Sequence, residues 1–393
     1  MAANSPPWLS ACGASLKRPL CGRDTKPLCL LAEGLAGADL AASEPPALLV
    51  GGGRILALGQ EALDHAEADP AIARQALPGL WLCPAPLDAH VHLTLGGTVD
   101  ANLERSQRAG LAAVRDLGHA PNKPNPRTPS GGPPWVVGSG PGLGALGPAG
   151  SWLAEGLSGS EAFRLAAEAR ARNGSGVIKV FATGLLDFEH PGQVLHGEAV
   201  GLAELSAAVE AAEGAGLPLA VHSSGIPAVA RAVQAGASSV EHGFFLDRAT
   251  MRAMAQARVS WVPTCAAVRA HAQDPEGRHT PELRKQLAGI YQGQLQALAV
   301  GEALGVDLVL GTDAGSYGLE HGAAIFAEME CWLEAGVRPV TVFEAATRRA
   351  ARLLGLEHSL GSLKPGAQAW LLALPGDPRR EPLTMARPTW RSF

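Results

Sequence analysis

Four histidines, one lysine and one aspartate stand where a side chain must either find a partner or do chemistry. His90 and His92 are two apart in PLDAHVHL, so strand alternation puts both on one face. Lys179 sits inside the apolar run GVIKVFATG, in a chain with six lysines against 26 arginines. Burying an unpaired ammonium costs several kcal/mol. His222 ends PLAVHS, His242 ends SSVEH before a glycine, and Asp313 ends VDLVLGTD. Imidazole and carboxylate ligands suit zinc and related divalent ions. A lysine must lose its proton before it can serve, and burial beside positive charge favours that. The neutral amine reacts with carbon dioxide to give a carbamate, whose two oxygens can bridge two metals. Each residue alone has a plainer explanation: a strand-end histidine is usually a satisfied polar group, and an aspartate after Gly-Thr can cap a helix. The joint pattern is much stronger than its parts.

Positioning these six requires elements that end together. Short apolar segments alternate with Ala-rich helical ones. The strands expected are 80–93, 112–118, 133–140, 176–184, 218–223, 238–243, 258–264 and 306–313. Helical periodicity is clear over 204–216, 228–236 and 282–305. Eight such units argue for an α/β fold of the (β/α)8 barrel type, in which all strand carboxyl ends meet at one catalytic face. A doubly wound sheet is the rival. ALLVGGGRILALG and the later AWLLAL flank the repeat, which suggests a small β-sandwich domain built from both chain ends. The expected division is 1–46 irregular, 47–84 with 355–378 as the small β domain, 85–354 as the barrel, and 379–393 as a C-terminal tail. The Pro- and Gly-rich stretch 119–152 reads as loop around the third strand.

Composition narrows the partners. The chain has 393 residues, 47% of them hydrophobic and 18% charged, enough for a large core. Its 32 basic and 37 acidic residues give a net charge of -5, without the basic footprint of a nucleic-acid binder. Apolar runs stay under about 10 residues, too short to span a bilayer. Cys12, Cys21, Cys29, Cys83, Cys265 and Cys331 show no paired zinc spacing and read as reduced thiols of a cytoplasmic protein. The first three cluster, which leaves a metal site there as the less favoured alternative.

The runs PLDAHVHL, IKVFATG, AVHSSG, VEHGFF and LGTDAGS, with AGLAAVRDLG, WVPT, HGAAIFAEMECWLEAGVRPVTVFEAATRRAARLLGL and GSLKPG, resemble the amidohydrolase superfamily. The likeness is to the branch of imidazolonepropionase-like proteins and Xaa-Pro-type dipeptidases, and it covers roughly 47–378. It implies two divalent metal ions, zinc in the first instance. His90, His92 and Asp313 would hold one, His222 and His242 the other, and carboxylated Lys179 would bridge them around a hydroxide. The second metal would polarise the scissile carbonyl. Asp313 would take the hydroxide proton and pass it to the leaving nitrogen.

The implied activity is hydrolysis of a C–N bond in a small molecule such as a dipeptide, an N-acyl amino acid or a cyclic amide. A mononuclear deaminase, a lactonase or phosphotriesterase, and a non-catalytic scaffold are the alternatives. Lys179 argues against the deaminase, and the intact set of six argues against the scaffold. Related enzymes are often homo-oligomers, and the same is expected here by analogy. The sequence departs from the family at GPGLGALGPAG (140–150), where relatives carry Gly-Gly-His-Gly, and at AQAW (367–370), where Ala-Asp is usual. Candidate substrate contacts in the loops are His119, His190, Tyr317 and His321, with Phe188, Gln193 and His196 beside them. Arg115 is a candidate for a substrate carboxylate. Trp261 reads as core or rim.

Overall fold

The structure is a computed structural model that describes residues 26–37, 44–130, 132–147, 152–190, 192–195 and 199–393. It is an α/β fold around parallel strands. Three strands, Leu87–Val91, Ala113–Asp116 and Trp135–Gly138, pair in parallel in that order. A second parallel sheet runs Ala154–Leu157, Gly142–Ala145, Ile178–Phe181, Leu219–Ser223, Ser239–His242, Ser260–Val262 and Asp307–Leu308. Backbone hydrogen bonds join the two sheets at both margins, from Gly176 N to Gly138 O (2.9 Å) and from Ala89 N to Leu310 O (3.1 Å).

Each of the eight expected strand segments contains a strand. Gly142–Ala145 and Ala154–Leu157 are additions. Helices return the chain between strands, among them Leu202–Gly214, Ile226–Ala235 and Pro281–Ala303. Thr98 caps Val99–Ala109 by accepting from Ala101 N, and Gly110 ends that helix at φ 86°, a left-handed position that glycine adopts without penalty.

Four expectations are corrected. The segment 80–93 is two strands: Trp81–Pro84 pairs with Leu371–Leu374, while Leu87–Val91 joins the parallel layer. Periodicity could not separate them, because both halves are apolar and only the partner changes. The 1–46 segment is not wholly irregular, since Leu28–Leu31 and Gly34–Leu35 are strands. Residues 379–393 are not a free tail: Trp390–Arg391 pairs with Leu371–Leu374. In 306–313 only Asp307–Leu308 belongs to the ladder, and the rest reaches the site as extended chain.

The small β layer consists of two four-stranded sheets, ordered Arg54–Leu58, Ala47–Gly51, Leu28–Leu31, Ala73–Ala76 and Trp390–Arg391, Leu371–Leu374, Trp81–Pro84, Gly34–Leu35. Alternation assigns their faces. Leu30 and Leu48 join Leu82 and Leu371 in an apolar cluster shared by both sheets. Cys29, Ala47 and Leu49 face Ala62 and Ala66 of the helix Gly59–Ala68. Cys29, Cys83, Cys265 and Cys331 are free and buried, and Cys12 and Cys21 lie outside the described residues. No helix among the described residues is long and apolar enough to cross a membrane.

Leu48 has no solvent exposure. Leu48→Ala should lower unfolding free energy by about 2–5 kcal/mol, read by denaturant titration. Metal content of the folded variant should not change, because the cluster lies in the other layer.

Candidate functional site

The strand ends bring the six residues together. His90 lies in Leu87–Val91 and His92 just beyond it, Lys179 in Ile178–Phe181, and His222 in Leu219–Ser223. His242 closes Ser239–His242, and Asp313 follows the extended chain after Asp307–Leu308. Asp313 Oδ1 is 3.2 Å from His92 Nε2 and 3.4 Å from His90 Nε2. His90, His92 and Asp313 offer ligand atoms within 4.8 Å of one another. Ring centroids of His222 and His242 are 4.6 Å apart, and those of His90 and His242 4.9 Å.

Each imidazole has one nitrogen committed. His90 Nδ1 faces Glu241 Oε2 (2.8 Å), His92 Nδ1 donates to Gly118 O (2.9 Å), and His222 Nε2 donates to Gly184 O (3.2 Å). His242 Nδ1 pairs with the Thr264 hydroxyl (2.7 Å). The other nitrogen takes no part in these bonds, and that of His92 meets Asp313 Oδ1 (3.2 Å); one tied nitrogen per ring is what metal-ligating histidines require. Among the described residues, His90 Nε2 and Lys179 Nζ are buried without a hydrogen-bond partner. Such orphaned atoms fit a divalent cation and a modified lysine.

Burial, helped by Lys179, pushes His90 down to about 4 and His222 to about 3. Burial, with His222 and His90, holds His242 well below its usual value. These imidazoles are therefore in their neutral, ligating form. His92 is the exception: burial opposes it, but Asp313 raises it. Burial also works against the Asp313 carboxylate, but His92, His90 and His242 overcome it and hold Asp313 far below the usual range. Burial pushes Lys179 down to about 8, partly opposed by Glu241.

Beneath these groups lies a buried ionic network. Glu241 Oε1 accepts from Arg115 Nη2 (2.9 Å) and Ser239 Oγ (2.5 Å), and Arg115 Nε donates to Ala89 O (2.6 Å). Arg115 has no solvent exposure, which corrects its expected role: it holds Glu241 instead of meeting substrate. Asp88 accepts from His90 N (3.2 Å), Thr312 N (3.0 Å) and Thr312 Oγ1 (2.7 Å), tying the first strand to the chain before Asp313. His242, Thr264 and Asp313 have φ of 67°, 49° and 61°. Left-handed backbone of this kind costs on the order of 1–3 kcal/mol per residue and clusters at functional sites.

Four of the six, His92, His222, His242 and Asp313, form the polar floor of a cavity of about 640 Å³, and His90 and Lys179 lie outside its lining. Tyr317 and Phe188 line it, as expected. The other expected substrate contacts among the described residues do not. His119 is buried and pairs with Asn125 Oδ1 (2.9 Å). His190 is exposed and pairs with Asp187 (2.9 Å). His321 is buried with Nε2 donating to Leu95 O (3.1 Å), so it supports the wall from behind. Gln193 is exposed away from the lining, and His196 lies outside the described residues. Trp261 is core, donating from Nε1 to His242 O (2.9 Å).

Several residues escaped the sequence reading. Glu241 could have been found by the argument used for Lys179, as a charged residue inside an apolar strand. His271, on the helix Cys265–Gln273, lines the cavity and meets His279 Nε2 through Nδ1 (3.0 Å). Burial, then His279, pushes His271 down to about 4. That helix is held by Glu328, which accepts from Cys265 N (2.9 Å), Ala266 N (2.6 Å) and Trp332 Nε1 (2.8 Å).

Residues 139–391 match the model of the Amidohydrolase family. The chain belongs to that family. It is a hydrolase acting on carbon–nitrogen bonds. An uncharacterized protein of Mycobacterium bovis is 27% identical over 319 residues, 79% of this chain and 83% of its own length. An ochratoxinase of Aspergillus niger is 27% identical over 225 residues, 56% of this chain and 45% of its own. The fold is similar to that of a Xaa-Pro dipeptidase with bound methionine, at a TM-score of 0.75 and 21% identity over 92% of this chain and 97% of that one. A molinate hydrolase superposes at 0.70 and 18% identity, covering 93% of this chain and 92% of its own.

Two predictions follow from the buried carboxylates. Glu241→Gln removes the charged acceptor from His90 Nδ1 and leaves Arg115 unpaired. Metal affinity in chelator competition should fall about 10–100-fold. Burial pushes Glu328 up to about 7 from an ordinary 4.5, so the folded state binds the extra proton between those values. Its stabilising contribution is full below about 4.5 and is lost as pH rises through about 7. Between about pH 5 and pH 8, Glu328→Gln should therefore lose less stability than the native chain, by on the order of 1–3 kcal/mol. Paired urea titrations at both pH values check the sign.

Proposed function

We propose that the chain is a binuclear metal-dependent hydrolase that cleaves a C–N bond of a small molecule at the cavity floor. The observation that carries this is the convergence of six dispersed residues in which each of the four imidazoles has one nitrogen tied to a partner, while His90 Nε2 and Lys179 Nζ are buried without one. His90, His92 and Asp313 would hold one cation, and His222 and His242 the second. Lys179, carboxylated by carbon dioxide with release of one proton, would bridge them. Bound there, divalent ions such as zinc supply a hydroxide at neutral pH and polarise a carbonyl. The Asp313 carboxylate, ionised in this setting, is the group that accepts a proton at its oxygen and returns it to the departing nitrogen. The hydrogen bonds joining the two parallel sheets support their closure into an eight-stranded barrel, which would put all six residues at its carboxyl-end face. The shared cluster of the two small sheets supports a β-sandwich.

Likeness to proteins named ochratoxinase and Xaa-Pro dipeptidase is in keeping with an amide-type bond. A single-metal deaminase is the second reading, because His90, His92 and Asp313 are the one compact ligand triad found among the described residues. Elemental analysis after growth with zinc and bicarbonate decides between them. The native chain should carry about two metals, and Lys179→Ala should lose most of them with its circular dichroism unchanged. One metal indifferent to that substitution would move the single-metal reading to first place. No metal in either protein would overturn both.

A further inference from the structure

The cavity has a polar floor and apolar walls. Trp152, Leu185 and Leu195 stand at 60%, 59% and 41% exposure, and all three line it. Large apolar side chains left in water on one rim mark a surface that is covered when in use. Deeper in, Phe188, Phe244 and Val268 continue the same surface.

Positive charge is missing from those walls. Among the described residues, no lysine or arginine lines the cavity. The sequence-adjacent segments 148–151 and 196–198 contain neither residue. Arg278 lies over the Tyr317 ring at 4.6 Å but outside the lining, and it is paired with Glu276 (2.5 Å). Two wall polar groups are already engaged: Tyr317 Oη donates to Asp274 Oδ1 (2.7 Å), and His271 is paired with His279. Thr183 Oγ1 lines the cavity, is buried, and has no partner among the described residues. With Ser224 and Ser316, which also line the cavity, it offers hydroxyls that satisfy neutral acceptors but carry no charge. A carboxylate against these walls would lose its water and find no counter-charge.

Building on the function proposed above, we propose that the substrate is a neutral amide-type molecule with an aryl or branched alkyl group beside the scissile bond and no carboxylate there. The floor takes the scissile group, so any further charge has to lie on apolar surface. This places uncharged acyl amides, carbamates or ureas ahead of dipeptides and N-acyl amino acids.

A matched pair tests it. N-benzoylphenethylamine and N-benzoyl-L-phenylalanine share the amide and both rings and differ by the α-carboxylate. With the metal-loaded full chain, kcat/KM and Kd by calorimetry are measured for each. The neutral member should be favoured at least about 10-fold in both. Leu185→Arg, at an exposed position on the rim, should narrow that ratio several-fold by improving the acid. Equal treatment of the pair, or preference for the acid, overturns the inference while leaving a working hydrolase. If neither is cleaved but the neutral member binds about 10-fold tighter, the cavity chemistry stands and the proposed function falls.

Discussion

The Glu241 carboxylate is the interaction on which the site rests. It has no solvent exposure, and it gathers Arg115, Ser239 and His90 from three strands of the parallel layer. A buried carboxylate is unfavourable unless every lone pair is used. Here the requirement works as a positioning device. Arg115 is anchored in turn to Ala89 O, one residue before His90. The ring of His90 can therefore take one orientation without leaving a buried charge unpaired. Asp88 repeats the logic on the next seam, where Thr312 and His90 N share one carboxylate.

The same accounting explains why strain is tolerated. Left-handed backbone at His242 and Asp313 is unfavourable for residues carrying a Cβ. Gly243 N, immediately after His242, bonds both Ser223 O (3.0 Å) and Glu241 O (2.9 Å), and Asp313 N bonds His90 O (2.8 Å). Cross-strand hydrogen bonds fix both turns from outside. The strain turns two side chains toward the floor at the points where the strands end.

Much of this was legible in the residues. A parallel strand buried on both faces reads as a short apolar run, so a His, Lys or Asp at its end stands out. That contrast gave all eight segments and brought out the six residues. What stayed hidden depends on contacts distant in sequence. LCLL at 28–31 has no alternation, and it becomes a strand by pairing with 47–50 and 73–76. Nothing local tells that the chain changes sheets between Pro84 and Leu87. His119 and His321 follow strand ends as site residues do, yet they turn to Asn125 and to Leu95 O. Position after a strand gives proximity to the catalytic face, whereas the direction of a side chain is set by its partners.

Arg115 and Lys179 make that distinction chemical. Both are cations in the interior of the same parallel layer, and both are at most 1% exposed. Arg115 finds a carboxylate, a hydroxyl and a carbonyl. Lys179 Nζ finds no hydrogen-bond partner among the described residues and lies 5.0 Å from the Phe181 ring centroid. A lysine kept for packing would be no worse as methionine or leucine, which bury without losing hydration. A lysine kept for charge would have a carboxylate at hydrogen-bond distance, as Arg115 does. Under the proposed function the amine would serve as a neutral nucleophile or ligand, and burial pushes it toward that form. The contrast between the two separates a residue whose every guanidinium nitrogen is used in holding the strands together from one whose amine is left without a partner among the described residues.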